Sequence, residues 1–243
     1  MSGAMGTLLE LRNLKGWYTP ETEVLKGLDL SLPQNSVIGL IGLNGAGKTT
    51  LMNIICGLHK GFSADEILVS GKSAQFQDKA FKMSRYIVFS EDESFGYFNF
   101  DEYLSYVFGC YRKKPDPAYV DELVERFGFG TYRSMLIKDL SLGNRRKAYL
   151  IAGFALKCEL LLLDEPVNGL DFTSTETLYS LIAGYKQFGT VLFSSHILES
   201  VTLTSDKVLV LENGMIAKTY SGSEINAESI RASLGTEGET DDV

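Results

Sequence analysis

Apolar and polar positions change rhythm several times along this chain. Residues 7–14, TLLELRNL, and 23–32, EVLKGLDLSL, are separated by a polar loop holding Pro20. Their alternation and short connection predict an antiparallel β layer. Residues 36–42, SVIGLIG, have no polar break beyond the first serine, the pattern of a strand covered on both faces. Similar runs, CELLLLDE at 158–165 and TVLFSS at 190–195, predict two more buried strands. LMNIICGL (51–58) and residues 173–187 read as helices, and LVLENGMIAK (209–218) as a hairpin turning at Asn213-Gly214.

The character shifts between 91 and 150. FGYFNFDEYLSYVFGCY (95–111) packs eight aromatics into 17 residues. PDPAYVDELVERFGFG then reads as a helix with prolines at its start and glycines at its end. This region is expected to form a helical lobe inserted into an α/β core spanning about 7–90 and 151–222. MSGAMG (1–6) reads as a start plus cloning remnant, and 223–243 as a tail whose acidic end, TEGETDDV, is expected to be disordered.

Composition narrows the class. With 243 residues and 44% hydrophobic content the chain can bury a sizeable core, and no run approaches the roughly 20 apolar residues a membrane-spanning helix needs. Cys56, Cys110 and Cys158 lie far apart among apolar neighbours, which predicts reduced thiols in a reducing compartment. Net charge is −8 and no basic patch stands out beyond RNLK and NRRK, so nucleic acid is not an expected partner.

The strongest chemical signal is GLNGAGKT, residues 42–49, which fits G-x-x-x-x-G-K-[ST] between a buried strand and a helix. Gly42, Gly45 and Gly47 let the backbone curl around Asn44 and Ala46 so that amides face phosphates. Lys48 adds a point charge, the Thr49 hydroxyl can ligate Mg²⁺, and Thr50 follows in the first helical turn, where the dipole favours anions. The second signal is LLLLDE (160–165). On a strand end its first acid, Asp164, can reach Mg²⁺ while Glu165 faces the γ-phosphate and the attacking water.

With those motifs in order, the chain resembles the nucleotide-binding subunits of ABC transporters over residues 7–222. GLNGAGKTT is similar to the family's Walker A, LLLLDEPVNGLD to its Walker B and D-loop, SSHIL (194–198) to its switch histidine, and LSLGN (140–144) sits at the signature position. The resemblance implies an α/β fold: a P-loop NTPase (RecA-like) core with an N-terminal antiparallel β subdomain and an inserted α-helical subdomain. It implies ATP and Mg²⁺, with His196 bridging Glu165 and the γ-phosphate and Tyr18 stacking on adenine, Trp17 being the alternative. Glu91 replaces the family's Q-loop glutamine and is expected to reach the metal's water shell. Two subunits would meet head-to-tail, identical or not, so that Ser141 and Gly143 contact the partner's ATP while Asp171 supports the interface. Leu142 is expected to pack against the lobe.

A transmembrane permease subunit is the further partner implied, which puts the chain at the cytoplasmic face of a membrane. The aromatic stretch 95–111 lies where the family meets that permease, and it suits a lobe core equally. LSLGN, Glu91 and the lack of a regulatory domain after 222 resemble stand-alone exporter ATPases (antibiotic, peptide or lipid). The rival reading is a non-transport ABC ATPase such as an iron–sulfur assembly ATPase.

Overall fold

The computed structural model describes residues 6–90 and 92–234. Glu91 and the acidic end from 235 onward fall outside the described residues, as do Met1–Met5.

Strands β1 (Thr7–Trp17) and β2 (Glu23–Pro33) pair antiparallel, as their alternation predicts. β3 (Val37–Ile41) is buried at every position and leads into helix α1 (Lys48–Ile55). Short strands β4 (Phe62–Ser63), β5 (Glu66–Val69) and β6 (Lys72–Ser73) join β1 and β2 in a five-stranded antiparallel sheet. Only β1 and β2 of these are visible as pattern, because β4 to β6 are too short to show a period. Helix α2 (Lys79–Ser84) then delivers β7 (Arg85–Val88) to a second sheet.

The lobe follows. Helix α3 (Phe100–Cys110) opens on a capping box in which Asn99 and Glu102 satisfy each other's backbone amides. Helix α4 (Pro117–Arg126) has Asp116 as its cap and Pro117 in its first turn. Helix α5 (Leu142–Leu156) runs from the lobe into the core without a break, so the expected boundary at 150/151 falls inside a helix. Every residue from Arg146 to Leu156 is buried, and a Cβ on Gly153 would sit 3.0 Å from Val88, so glycine there lets α5 lie close on the sheet.

The core closes with β8 (Leu160–Leu163), α6 (Phe172–Gly184), β9 (Thr190–Ser195), α7 (Leu198–Thr204) and the hairpin of β10 (Lys207–Glu212) and β11 (Met215–Ser221). Asn213 and Gly214 both have positive φ, as a tight primed hairpin turn requires. The second sheet runs β11-β10-β3-β9-β8-β7, parallel except for the final hairpin. In such a sheet ligands collect beyond the carboxyl ends of the strands, and β3, β9 and β8 are neighbours there.

The chain beyond 222 is not a bare tail. Helix α8 (Ala227–Leu234) buries Ile230 in the core, and the Tyr220 hydroxyl donates to the Ser229 carbonyl. Two large apolar residues among eight, Ile230 and Leu234, are too weak a pattern to announce that docking. Among the described residues no helix is long and apolar enough to cross a membrane. Burial pushes the thiols of Cys56 and Cys158 up to about 12, which keeps them protonated at neutral pH.

Candidate functional site

The loop after β3 is built around its glycines. Gly45 and Gly47 take positive φ, and a Cβ on Gly42 would collide with the Leu211 carbonyl at 2.3 Å. Gly47 caps α1 without a side-chain partner, leaving first-turn amides open to an anion. The Lys48 ammonium, 7% exposed, donates to the carbonyls of Gly42 at 2.7 Å and Leu43 at 3.2 Å. It therefore lies folded back under the loop. The Ala46 amide donates to the Leu43 carbonyl, and Asn44 lines the adjoining cavity.

The ends of β8 and β9 bring the acids to this loop. Asp164 is 1% exposed and accepts hydrogen bonds from Thr49 Oγ1 at 2.9 Å and Ser194 Oγ at 2.7 Å. Ser194 follows from register: Leu163 pairs with Phe193, so the next residues on the two strands are adjacent. Ser194 Oγ also accepts from the Glu165 amide at 2.8 Å.

Glu165 has φ of 45°, a left-handed conformation that is strained for a non-glycine residue. Its amide is held by Ser194, and its carbonyl accepts from Arg146 at 3.0 Å and the Asn168 amide at 3.2 Å. Those bonds hold a conformation that residue 165 avoids when unconstrained. The side chain then reaches His196, whose Nδ1 donates to Oε2 at 2.8 Å, and stands 3.8 Å from the Lys48 ammonium. Because a carboxylate accepts there, Nδ1 carries the proton, leaving Nε2 on the half-exposed side of the ring. Ile41, Gly42, Leu43, Asn44, Glu165, Asn168 and His196 line one cavity of about 350 Å³.

Arg146 and Ser194 are residues the sequence reading missed. The Arg146 guanidinium, 4% exposed, donates to the carbonyls of Phe89, Ser90 and Glu165 and so joins α5, the segment after β7 and the residue after Asp164. Its signal in the sequence was only a basic residue in NRRK, indistinguishable from a solvated helix face.

Tyr18, 61% exposed, reaches α1 through a 3.2 Å bond between its hydroxyl and Thr50 Oγ1. Trp17 turns the other way, against Gly61, where an added Cβ would sit 3.1 Å from the indole. The two residues expected to compete for adenine thus have distinct positions, and Tyr18 is the one beside the loop helix.

The signature residues lie apart from the cavity that holds Glu165 and His196. Ser141 caps α5, its hydroxyl accepting from the Asn144 amide at 3.3 Å. A Cβ on Gly143 would stand 2.4 Å from the Gly169 carbonyl, so this glycine has a packing reason within its own chain. Leu142 is 60% exposed and touches Gly169, so it does not pack into the lobe as expected. Asp171 caps α6 and pairs with Lys147 at 2.8 Å, which holds its carboxyl well below the usual carboxylate range.

The aromatic stretch divides. Phe100, Tyr103 and Phe108 are buried in the lobe, whereas Tyr97 and Tyr106 are 79% and 51% exposed. Phe95, Tyr106, Tyr111, Leu58 and Lys82 line a groove of about 440 Å³ between lobe and core.

Open amides beyond the end of β3 and a held carboxylate beyond the end of β8, with β9 between them, are what a P-loop nucleoside triphosphatase requires. A family model described as ABC transporter matches residues 25–168. AlbC, an ABC transporter ATP-binding protein of Bacillus subtilis (strain 168), is 35% identical over 218 residues, 87% of this chain and 91% of its own. The lantibiotic transport ATP-binding protein SrtF of Streptococcus pyogenes is 31% identical over 220 residues, 89% and 93% of the two chains. An ATP-binding subunit of an ABC transporter shares the fold with a TM-score of 0.79 at 24% identity over 96% of each chain. The chain belongs to the ABC transporter family, as an ATP-binding, ATP-hydrolysing subunit of a membrane transporter. Subunits of this family act with transmembrane permeases and dimerise.

Proposed function

We propose that this chain powers export by closing head-to-tail with a second nucleotide-binding subunit around ATP and opening again after hydrolysis. The observation that carries the reading is the separation of roles: Glu165 and His196 line one cavity with the loop residues Gly42 to Asn44, and Lys48 stands 3.8 Å from Glu165, whereas Ser141 and Gly143 do not line it. A signature that lines no part of its own chain's cavity is suited to serve a partner's phosphates. The name of SrtF, a lantibiotic transport protein, supports an antibiotic-peptide class of cargo.

In this reading, open amides of the loop and α1 bind the β- and γ-phosphates, and Lys48 shifts from its carbonyl contacts to the phosphate oxygens. Glu165 accepts a proton from the attacking water as its oxygen bonds the γ-phosphorus, the bond from that phosphorus to the β–γ bridging oxygen breaks with its electron pair going to ADP, and ADP and phosphate leave. His196 fixes the orientation of that carboxylate through Nδ1–H, as an imidazole does when it holds a base in register. The donor set of Thr49 and Asp164, two hard oxygens 2.9 Å apart, fits Mg²⁺. When bound there, Mg²⁺ supplies neutralisation of phosphate charge.

The lobe groove is the proposed permease contact, which places the chain peripherally at the cytoplasmic face of the membrane. Exposed tyrosines beside an apolar cleft suit an interface. Affinity purification of the full chain from its own cells is expected to recover a polytopic membrane protein. Tyr106→Asp is expected to lose that partner and retain ATP hydrolysis. Recovery of soluble iron–sulfur assembly factors in its place contradicts the transporter reading.

A further inference from the structure

The segment that follows α1 folds back onto the end of β1, immediately before Tyr18. The Trp17 amide donates to the Gly61 carbonyl at 2.7 Å, and the Trp17 carbonyl accepts from His59 Nε2 at 2.8 Å. A Cβ on Gly61 would lie 2.2 Å from that same carbonyl, so the two segments meet at backbone distance. Both backbone polar groups of residue 17 are thus committed to the turn after α1. A carbonyl can only accept, which fixes the proton of His59 on Nε2.

The same imidazole also meets Tyr18. The two rings pack edge-to-face, with centroids 4.9 Å apart and planes at 75°. The Tyr18 hydroxyl bonds Thr50 on α1, and its amide donates to the Thr22 carbonyl at 3.2 Å. The Tyr18 ring is therefore held at its hydroxyl end by Thr50 and on its body by His59. His59 thus contacts both the backbone before Tyr18 and the Tyr18 ring. An exposed tyrosine without such support would sample several rotamers and lose entropy on stacking with a base.

We propose that His59 is a positioning residue for adenine recognition, setting the Tyr18 ring in its stacking orientation. This rests on the reading of Tyr18 as the adenine platform. His59 does not touch the phosphates, so it acts on the base-binding part of affinity and leaves the phosphate part alone.

The test compares ATP with inorganic tripolyphosphate, which carries phosphates and no base, binding to the full chain by calorimetry. His59→Ala is expected to weaken ATP binding roughly 3- to 10-fold, the scale of one aromatic pair plus one hydrogen bond. Tripolyphosphate affinity is expected to stay at the wild-type value, KM for ATP to rise and kcat to hold. His59→Gln, which keeps an N–H donor for Trp17, is expected to recover part of the loss. In a Tyr18→Ala background, adding His59→Ala is expected to cost nothing further, because both act through one ring.

Parallel loss of ATP and tripolyphosphate affinity overturns the proposal, since His59 would then be supporting α1 generally. So does an additive loss in the Tyr18→Ala background, or wild-type ATP affinity in His59→Ala when Tyr18→Ala is impaired. Unchanged ATP affinity in Tyr18→Ala itself removes the adenine platform, and that result is read before any His59 variant is made.

Discussion

Glu165→Gln is expected to lower ATP turnover by at least ~10²-fold while leaving ATP binding intact. The amide is nearly isosteric and can keep a contact with His196, so the 2.8 Å arrangement at the end of β8 loses its basicity and little else. The left-handed backbone at residue 165 is held by Ser194, Asn168 and Arg146 through main-chain atoms, which the substitution does not alter. Single-turnover hydrolysis separates chemistry from product release. Near-normal turnover in the variant would remove Glu165 from the role of base.

Arg146→Ala is expected to be the most destabilising change at the site. It removes the guanidinium from the carbonyls of Phe89 and Ser90 and takes one of two donors from Glu165, whose carbonyl keeps the Asn168 amide; a buried acceptor left unpaired costs about 1–3 kcal/mol. Water entering the gap offsets part of this, so a loss of roughly 3 kcal/mol is expected, or about 6–12 °C in Tm. Turnover is expected to fall as well, because Glu165 loses one of the bonds that hold its strained φ. Arg146→Lys, with a single ammonium in place of a planar fork, is expected to fall between. A thermal scan of Arg146→Ala superimposable on wild type would contradict this account of the residue.

The legible part of this protein was the part written in period and spacing. Buried runs at 36–42, 158–165 and 190–195 became β3, β8 and β9, and the glycine loop needed only a strand before it and a helix after it. What stayed hidden has a common physical cause, which is dependence on neighbours distant in sequence. Ser194 matters because register sets it beside Asp164, and a serine at a strand end has no mark of that. Arg146 looks like its basic neighbours until α5 turns it toward the carbonyls beyond the ends of β7 and β8. Gly143 was read as room for a phosphate, yet the Gly169 carbonyl already demands a glycine there. The docking of α8 buries Ile230 from a segment with only two large apolar side chains, too few to form a pattern.

Ser141→Asp asks whether ATP is shared between one subunit's loop and another's signature. Aspartate is as good a helix cap as serine, so α5 should keep its start, while a carboxylate replaces the hydroxyl that would face the partner's γ-phosphate. Size-exclusion chromatography with light scattering on the Glu165→Gln chain is expected to show a dimer that forms with ATP and disperses without it. In Glu165→Gln combined with Ser141→Asp, that dimer is expected to vanish while monomer affinity for ATP stays unchanged. Loss of monomer affinity in the double variant, or an ATP-dependent dimer that survives it, would contradict the shared site.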